Sequence, residues 1–450
     1  MKIEKKLMQN IINTIPWDFR EVFIEKSKSQ RFVFVNWNFK TPSISTLEWV
    51  SILSRTDKKE YFKVFSNIDN LESTIKEFNL EFWLNSKPSE IILKWEDFLE
   101  LDTLSLGDFD IKEILENINK AYKKHIKNND IVISMEAAFM LSKKWFIVWN
   151  SASKFVAWDN FYNTLFVKVV WKKDDNYEEV FEKITGCDIL EKFNDENIEN
   201  LFSDVIKILE NQLTADRSPS WIMDVIIWNE AGGTIIHEAV WHWLEADLQN
   251  SSVYKHKLWQ KVASDFVSIV DNPTTEFERW YYRFDHEWNK SNNTILIENW
   301  VLKSYLHNEK TAQKFWVLST WHGRKETYKH KSLVRMWNTY MLPWKDKKED
   351  LIKKVKTWIY VSRMWWWQVN TTTWDFVFKV QNWFLIEDWK LTKNIRWATL
   401  SWNWPKMLEE VYGVCDDLVF FDGGTCWKWQ SMPVSDWNPT FLTKLKVSSL

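Results

Sequence analysis

Glycine is what this chain most conspicuously lacks. Eight residues in 450 are Gly, about 1.8%, where an ordinary chain carries roughly 7%. Since positive-φ backbone positions favour glycine over residues with a Cβ, a literal reading leaves a long chain short of turn residues. Cysteine is almost absent too. Three residues, Cys187, Cys415 and Cys426, exclude a disulfide framework. No run of like charge is long enough to grip nucleic acid, because the Lys-rich stretch from Lys345 to Lys356 is interleaved with Asp and Glu, and the net charge is only -3. No apolar stretch approaches the length of a membrane span. The N-terminus, MKIEKKLMQNIINTI, is basic and then amphipathic, without the continuous apolar core of a signal peptide. The expectation is a cytoplasmic protein that binds neither nucleic acid nor membrane.

What the chain has instead is tryptophan, 34 residues, or about 7.6%. Their positions carry the meaning. TILIENWVLKSYL holds two strand-like runs joined by Asn299-Trp300, and FLIEDWKLTK repeats the pattern at Asp388-Trp389. A two-residue hairpin loop wants positive φ at both positions, hence Asn-Gly or Asp-Gly. Asn36-Trp37, Asn382-Trp383 and Asp436-Trp437 share the signature, and Trp344 follows Pro343 in another expected turn. Trp365, Trp366 and Trp367 run consecutively, which suits a glycine-rich strand or bend better than three indoles. The pattern is that of a genetic code in which UGA means glycine, read through a table that makes it tryptophan. A truly Trp-rich aromatic-cage protein is the competing reading, but stacking indoles have no reason to follow Asn or Asp.

Hydrophobic content of 45% and charged content of 27% are those of a globular protein, and the length allows two or three domains. The first half alternates strands and helices. EVFIEKS, RFVFVN and YFKVFS read as strands, Asp110 to Lys127 as an amphipathic helix, IVISMEA, WFIVWN and TLFVKVVW as further strands, and Ile198 to Ala215 as a long helix. DRSPS, from Asp216 to Ser220, resembles a linker. Beyond it lie 25 of the 34 tryptophans, where short strands and turns dominate. The expected fold class is α+β, with a mixed strand/helix domain over 1–218 and a strand- and turn-rich β domain over 219–450 that carries a metal-binding helix.

One constellation carries chemistry. GGTIIHEAVWHWLEADL, from Gly232 to Leu248, contains His237, Glu238 and His242. Two imidazoles can grip a divalent metal while the adjacent carboxylate deprotonates a water. The familiar zinc-peptidase spacing is i, i+4; here it is i, i+5, about 140° apart on a regular helix. A π-bulge or a helix broken near 241 would bring the rings together. Glycine at 241 and 243 would ease that break. The third ligand is open among His125, His256, His286, His307, His322, His330, Glu245, Asp247 and Cys426, with Glu245 and Asp247 reading as acids that support the ligands or face solvent rather than as ligands. Cys426 sits in the turn-rich FDGGTCWKWQ, whereas Cys187 and Cys415 read as packed thiols. His330, Arg335 and Asn338 are candidate neighbours of the site, with a plain surface or turn role as the alternative.

These residues carry a resemblance. GGTIIHEAVWHWLEADL, DNPTTEFERWYYRFDHEW, TILIENWVLKSYLH, WHGRKETYKHKSLVRMWNTYMLPW, FLIEDWKLTKNIRWATL and TCWKWQSMPV look like successive blocks of the TldD/PmbA family of metallopeptidases, with family glycines written as Trp. The motif-bearing branch, the TldD one, is the better match. The resemblance implies a peptidase with one zinc per chain, the metal held at His237, His242 and Cys426 and Glu238 acting as general base. It further implies a heterodimer with a sister subunit lacking the motif (a homodimer being the other option), enclosing a cavity for peptides or unfolded chains. Tryptophan at 241, 243, 365 to 367 and 427, read literally, would obstruct the metal helix and the Cys loop. Two other functions compete: a non-catalytic peptide-binding or assembly subunit with a structural metal, and a regulator acting through a nucleic-acid enzyme.

Overall fold

The computed structural model describes residues 12–15, 18–36, 38–56, 58–66, 70–82, 111–127, 129–152, 155–173, 176–231, 233–240, 242–354, 357–369, 375–396, 398–420 and 424–449. The fold is α+β. Its first sheet is antiparallel throughout and is built from β1 (Phe19–Val35), β2 (Asn38–Phe39), β3 (Ser43–Arg55), β4 (Glu60–Phe65), β5 (Val132–Asn150), β6 (Phe155–Lys173) and β7 (Asn176–Cys187). The strands run in the order β4-β3-β1-β5-β6-β7, with β2 on the end of β1. The expected strands at Glu21 and Arg31 are one long strand, because the intervening Lys26 to Gln30 continues the ladder on both neighbours.

The alternation along β1 assigns its two faces. Val22 and Ile24 join Val50, Ile52, Ile75 and Phe78 beneath the helix Leu71–Glu81. Phe23 points the other way, into a cluster with Phe146, Trp158, Trp288 and Tyr328. On that same face Glu21 binds Lys325 at 2.6 Å, and Glu25 accepts the backbone N–H of Tyr328 at 2.8 Å. The first sheet is thus keyed to the second half by residues of one parity. Farther along the sheet, the helices Lys112–His125 and Asp195–Thr214 bury Ile114, Ile118, Leu201, Phe202 and Val205 against Phe139, Leu165 and Val167.

The second half holds an eight-stranded sheet in the order Thr357–Val369, Ile222–Ile227, Phe441–Ser449, Ala398–Asn403, Asp375–Glu387, Lys390–Arg396, Asp216–Arg217, with Gly413–Val414 beside Phe441–Ser449. A five-stranded sheet, Val301–Leu302, Thr294–Glu298, Ile269–Asp271, Asn338–Met341, Ser435–Trp437, packs nearby. Asp216–Arg217, expected in a linker, is an edge strand paired in parallel with Ile395 and Arg396.

The tryptophans fall into two populations. Among the described residues, eight of the fifteen non-glycine residues with positive φ are Trp: 259, 280, 288, 300, 316, 321, 389 and 429. Both expected hairpins form, with Glu298 opposite Val301 and Glu387 opposite Lys390. Asn299 and Trp300 take φ of 45° and 64°, and Asp388 and Trp389 take 47° and 63°, left-handed at both loop positions as Asn-Gly and Asp-Gly would be. Trp316 caps the helix Glu309–Phe315 at φ 57°, a place glycine usually fills, with its side chain 93% exposed. The strand carrying 365 to 367 shifts register against Asp375–Glu387 three times between Val361 and Trp366. Trp37 and Trp241 lie outside the described residues.

Two expected turns are not turns. Asn382-Trp383 lies within the strand Asp375–Glu387 and Asp436-Trp437 within Ser435–Trp437, and both indoles are buried. Packing decides there: Trp383 fills the main core, and Trp437 packs on Tyr340. Trp404 likewise stacks on Phe376 with centroids 3.9 Å apart.

Candidate metal centre

The motif helix, Thr234–Val240, begins where Gly233 lets the chain lie against the strand Ser435–Trp437. A Cβ on Gly233 would come within 2.4 Å of the Trp437 backbone nitrogen, so only glycine fits. Thr234 Oγ1 then bonds Asp436. Ile235, Ile236, Ala239 and Val240 are buried and anchor the helix in the main hydrophobic core.

The helix ends at Val240, and His242 takes φ 51°, in the left-handed region. The break expected from the i, i+5 spacing is therefore present, as a terminated helix. It brings the two imidazoles close enough that the positive charge of one opposes protonation of the other. Burial is the larger cause, and together they push His237 down to about 3, against the pull of Asp271 and Glu245. Burial also lowers His242, although Glu245 opposes it. Both rings are neutral near pH 7, the form that binds metal.

Cys426 comes from the far end of the sequence, on Thr425–Trp427, which pairs with Ser431–Pro433. Period-two alternation sorts the strand Thr425–Trp427, and the turn 428–430 joins it to Ser431–Pro433. Cys426, Lys428 and Gln430 point inward and are buried, while Trp427 and Trp429 are 66% and 63% exposed. The indole at 427 therefore does not obstruct the Cys loop as its bulk suggested, because its parity sends it to solvent. Trp243 is accommodated in the core cluster. The thiol is pushed up to about 12 by burial, with Arg335 pulling down and Glu245 and Glu238 pushing up. Those influences place Cys426, Glu238, Glu245 and Arg335 in one neighbourhood. Glu238 itself is buried beside His237.

The remaining candidates divide. Glu245 is wholly buried and accepts the Nδ1 proton of His242 at 2.5 Å. Burial alone would raise its carboxyl, but Lys428, His242 and Arg335 hold it well below the usual range. Asp247 pairs with Lys428 at 2.9 Å. Arg335 donates to the carbonyls of Cys426 at 2.8 Å and Gln430 at 2.7 Å, and to Cys426 Sγ. Asn338 is one residue removed from the site, donating to Asn272 O and Asp271. His330 turns to Thr327 and Glu326, His125 pairs with Glu199, and His322 bonds Asp271. Lys428 and Asp271 are the additions that the sequence reading missed. Neither was legible locally: Lys428 lies in the turn beyond the strand Thr425–Trp427, and Asp271 reaches His237's surroundings only through the fold.

Two neutral imidazoles, a thiol and a carboxylate suit zinc in kind. Among the described residues no three His, Cys, Asp or Glu side chains are gathered as a closed cage; Cys426 Sγ faces Arg335, and His242 Nε2 lies 3.2 Å from the Trp427 carbonyl. The donor types fit zinc by their chemistry, while among the described residues they are not gathered into a group of three that could hold the ion.

Comparison with known proteins gives one answer. Residues 220–449 match the PmbA/TldA metallopeptidase C-terminal domain. A metalloprotease of Methanocaldococcus jannaschii is 32% identical over 354 residues, 77% of each chain. The metalloprotease TldD homolog of Buchnera aphidicola (Schizaphis graminum) is 32% identical over 260 residues, 57% of this chain, and the match spans 54% of that relative's length. A protein of Saccharolobus solfataricus named a zinc metalloprotease TldD homolog is 24% identical over 77% of this chain and 79% of its own. Among solved structures, TldE of Thermococcus kodakarensis superposes with a TM-score of 0.75 at 15% identity, covering 98% of this chain and 99% of that one, which shows a shared fold. The chain belongs to the PmbA/TldD family of metallopeptidases.

Proposed function

We propose that this chain hydrolyses peptide bonds in peptides or unfolded polypeptide segments, with one zinc ion held by His237, His242 and Cys426 and with Glu238 as general base. The observation that carries the reading is the end of the motif helix at Val240 with His242 on left-handed backbone, its Nε2 3.2 Å from the Trp427 carbonyl of the Cys426 hairpin. Zinc bound there would acidify a water and polarise the scissile carbonyl. Glu238 takes the proton from the attacking water and passes it to the leaving amine. Glu238 is buried next to His237, which keeps that carboxylate out of bulk solvent. The name of the Saccharolobus relative supports zinc; the reading adds a motif-less sister subunit, or a second copy of this chain, as partner. The reading divides the chain at 218/219, with the first part lining the substrate cavity or the subunit contact.

The test uses the full chain, alone and with a sister subunit added, against an unfolded polypeptide with and without chelator. Chelator-sensitive cleavage that Glu238→Gln abolishes, with zinc retained, supports the proposal. Bound zinc with no cleavage under any condition favours a non-catalytic peptide-binding subunit.

We also infer that tryptophans on left-handed backbone stand for glycines read from UGA codons. Support comes from the eight positive-φ indoles and the two hairpin turns. UGG codons at Trp300, Trp316 and Trp389 in the coding DNA would sink this reading.

A further inference from the structure

Glu245 lies outside the His-Glu-x-x-x-His motif but reaches His242 within it and both cations on the Cys426 side. Its Oε2 accepts His242 Nδ1–H at 2.5 Å and Lys428 Nζ at 2.7 Å. Its Oε1 lies 3.6 Å from Arg335 Nε. Both cations belong to the Cys426 side of the site. Lys428 is two residues beyond Cys426 and also donates to Val334 O at 2.8 Å, and Arg335 holds the carbonyls of Cys426 and Gln430. One buried carboxylate therefore ties the segment of His242 to the far hairpin of Cys426, the two segments that carry the proposed ligands.

The bond to Nδ1 also fixes the tautomer. An ionised carboxylate can only accept, so Nδ1 carries the hydrogen and the neutral ring leaves its lone pair on Nε2. That nitrogen lies 3.2 Å from the Trp427 carbonyl oxygen. Outer carboxylates that orient a metal-binding imidazole in this way commonly contribute 10–100-fold in affinity.

We propose that Glu245 is the positioning residue of the metal centre, setting the tautomer and orientation of His242 and, through Lys428 and Arg335, the placement of the Cys426 hairpin against it. The inference rests on the zinc reading above. Asp247 supplies the control, because it pairs with the same Lys428 at 2.9 Å and shows no hydrogen bond to His242. Glu245→Gln keeps the shape and loses the charge. Glu245→Asp keeps the charge for both cations and draws the carboxylate one methylene back from Nδ1, so it separates orientation from charge balance and also serves if Glu245→Gln does not fold.

The measurement is the zinc dissociation constant of the full chain by competition with a chromophoric chelator, with the cobalt-substituted absorption spectrum and the melting midpoint of the metal-free protein alongside. Expected are a zinc affinity weaker by about 10–100-fold in both Glu245 variants, an altered cobalt spectrum, and Asp247→Asn within about threefold of the unmodified chain. Glu245→Asp binding zinc as tightly as the unmodified chain overturns the proposal, as does Asp247→Asn losing as much as the Glu245 variants. An unmodified chain that binds no zinc overturns the zinc reading as well, so the two failures are distinguishable.

Discussion

Replacing an exposed left-handed tryptophan by glycine should stabilise this protein, and replacing a packed one should do the reverse. Trp259, Trp316, Trp389 and Trp429 have φ between 57° and 66° and side chains between 49% and 93% exposed. A Cβ on left-handed backbone costs roughly 1–2 kcal/mol. Glycine returns about 0.5–1 kcal/mol of that through the entropy of its unfolded chain. Little burial is lost, so each replacement should net about 0.5–1 kcal/mol, and the four together about 2–4 kcal/mol. Over all eight left-handed tryptophans the strain sums to roughly 8–16 kcal/mol, as much as the whole stability of an ordinary fold, about 5–15 kcal/mol. The contrasting variant is Trp404→Gly. That indole is wholly buried and stacked on Phe376, and deleting it should cost at least about 3–5 kcal/mol. Denaturant midpoints of the quadruple variant and of Trp404→Gly, each against the unmodified chain, decide the matter. A quadruple variant no more stable than its parent would refute the argument.

Three further outcomes are expected. Glu238→Gln should lose at least about 100-fold in peptide turnover, the usual contribution of a general base, while zinc content by elemental analysis stays at one per chain; undiminished turnover would remove its role. Arg335→Lys should lower the unfolding midpoint by the equivalent of about 2–4 kcal/mol, because an ammonium cannot reproduce both carbonyl contacts of the guanidinium, and should weaken zinc binding. His307 is pushed down to about 4 by burial and by His322, so the unfolded chain binds the proton first as pH falls. Stability should therefore drop between about pH 6.5 and pH 4, by on the order of 3 kcal/mol from this group, and His307→Gln should flatten that part of a midpoint-against-pH curve.

Much of the site was legible because it is local. His237, Glu238 and His242 lie within one short segment, and their i, i+5 spacing already demanded a broken helix, which the left-handed His242 supplies. The hairpins at Asn299-Trp300 and Asp388-Trp389 were legible for the same reason: turn chemistry depends on adjacent residues. Asn382-Trp383 and Asp436-Trp437 carry the same dipeptide signature yet lie in strands, because burial of the indole outweighs a local preference. The linker expected at Asp216 became an edge strand through pairing with Ile395 and Arg396, partners that nothing nearby in sequence reveals.

Legible from consecutive residues alone were the α+β class, the motif with its forced break, and the left-handed turns at Asn299-Trp300 and Asp388-Trp389. Each follows from the covalent geometry of a few consecutive residues. The tertiary structure alone decided that Glu245 is buried against His242, that Arg335 and Lys428 clamp the Cys426 hairpin to it, and that Glu21 and Glu25 of the first sheet seat the loop 324–328. Buried charges must find partners, and which partner is within reach is set by packing between segments that the sequence keeps far apart.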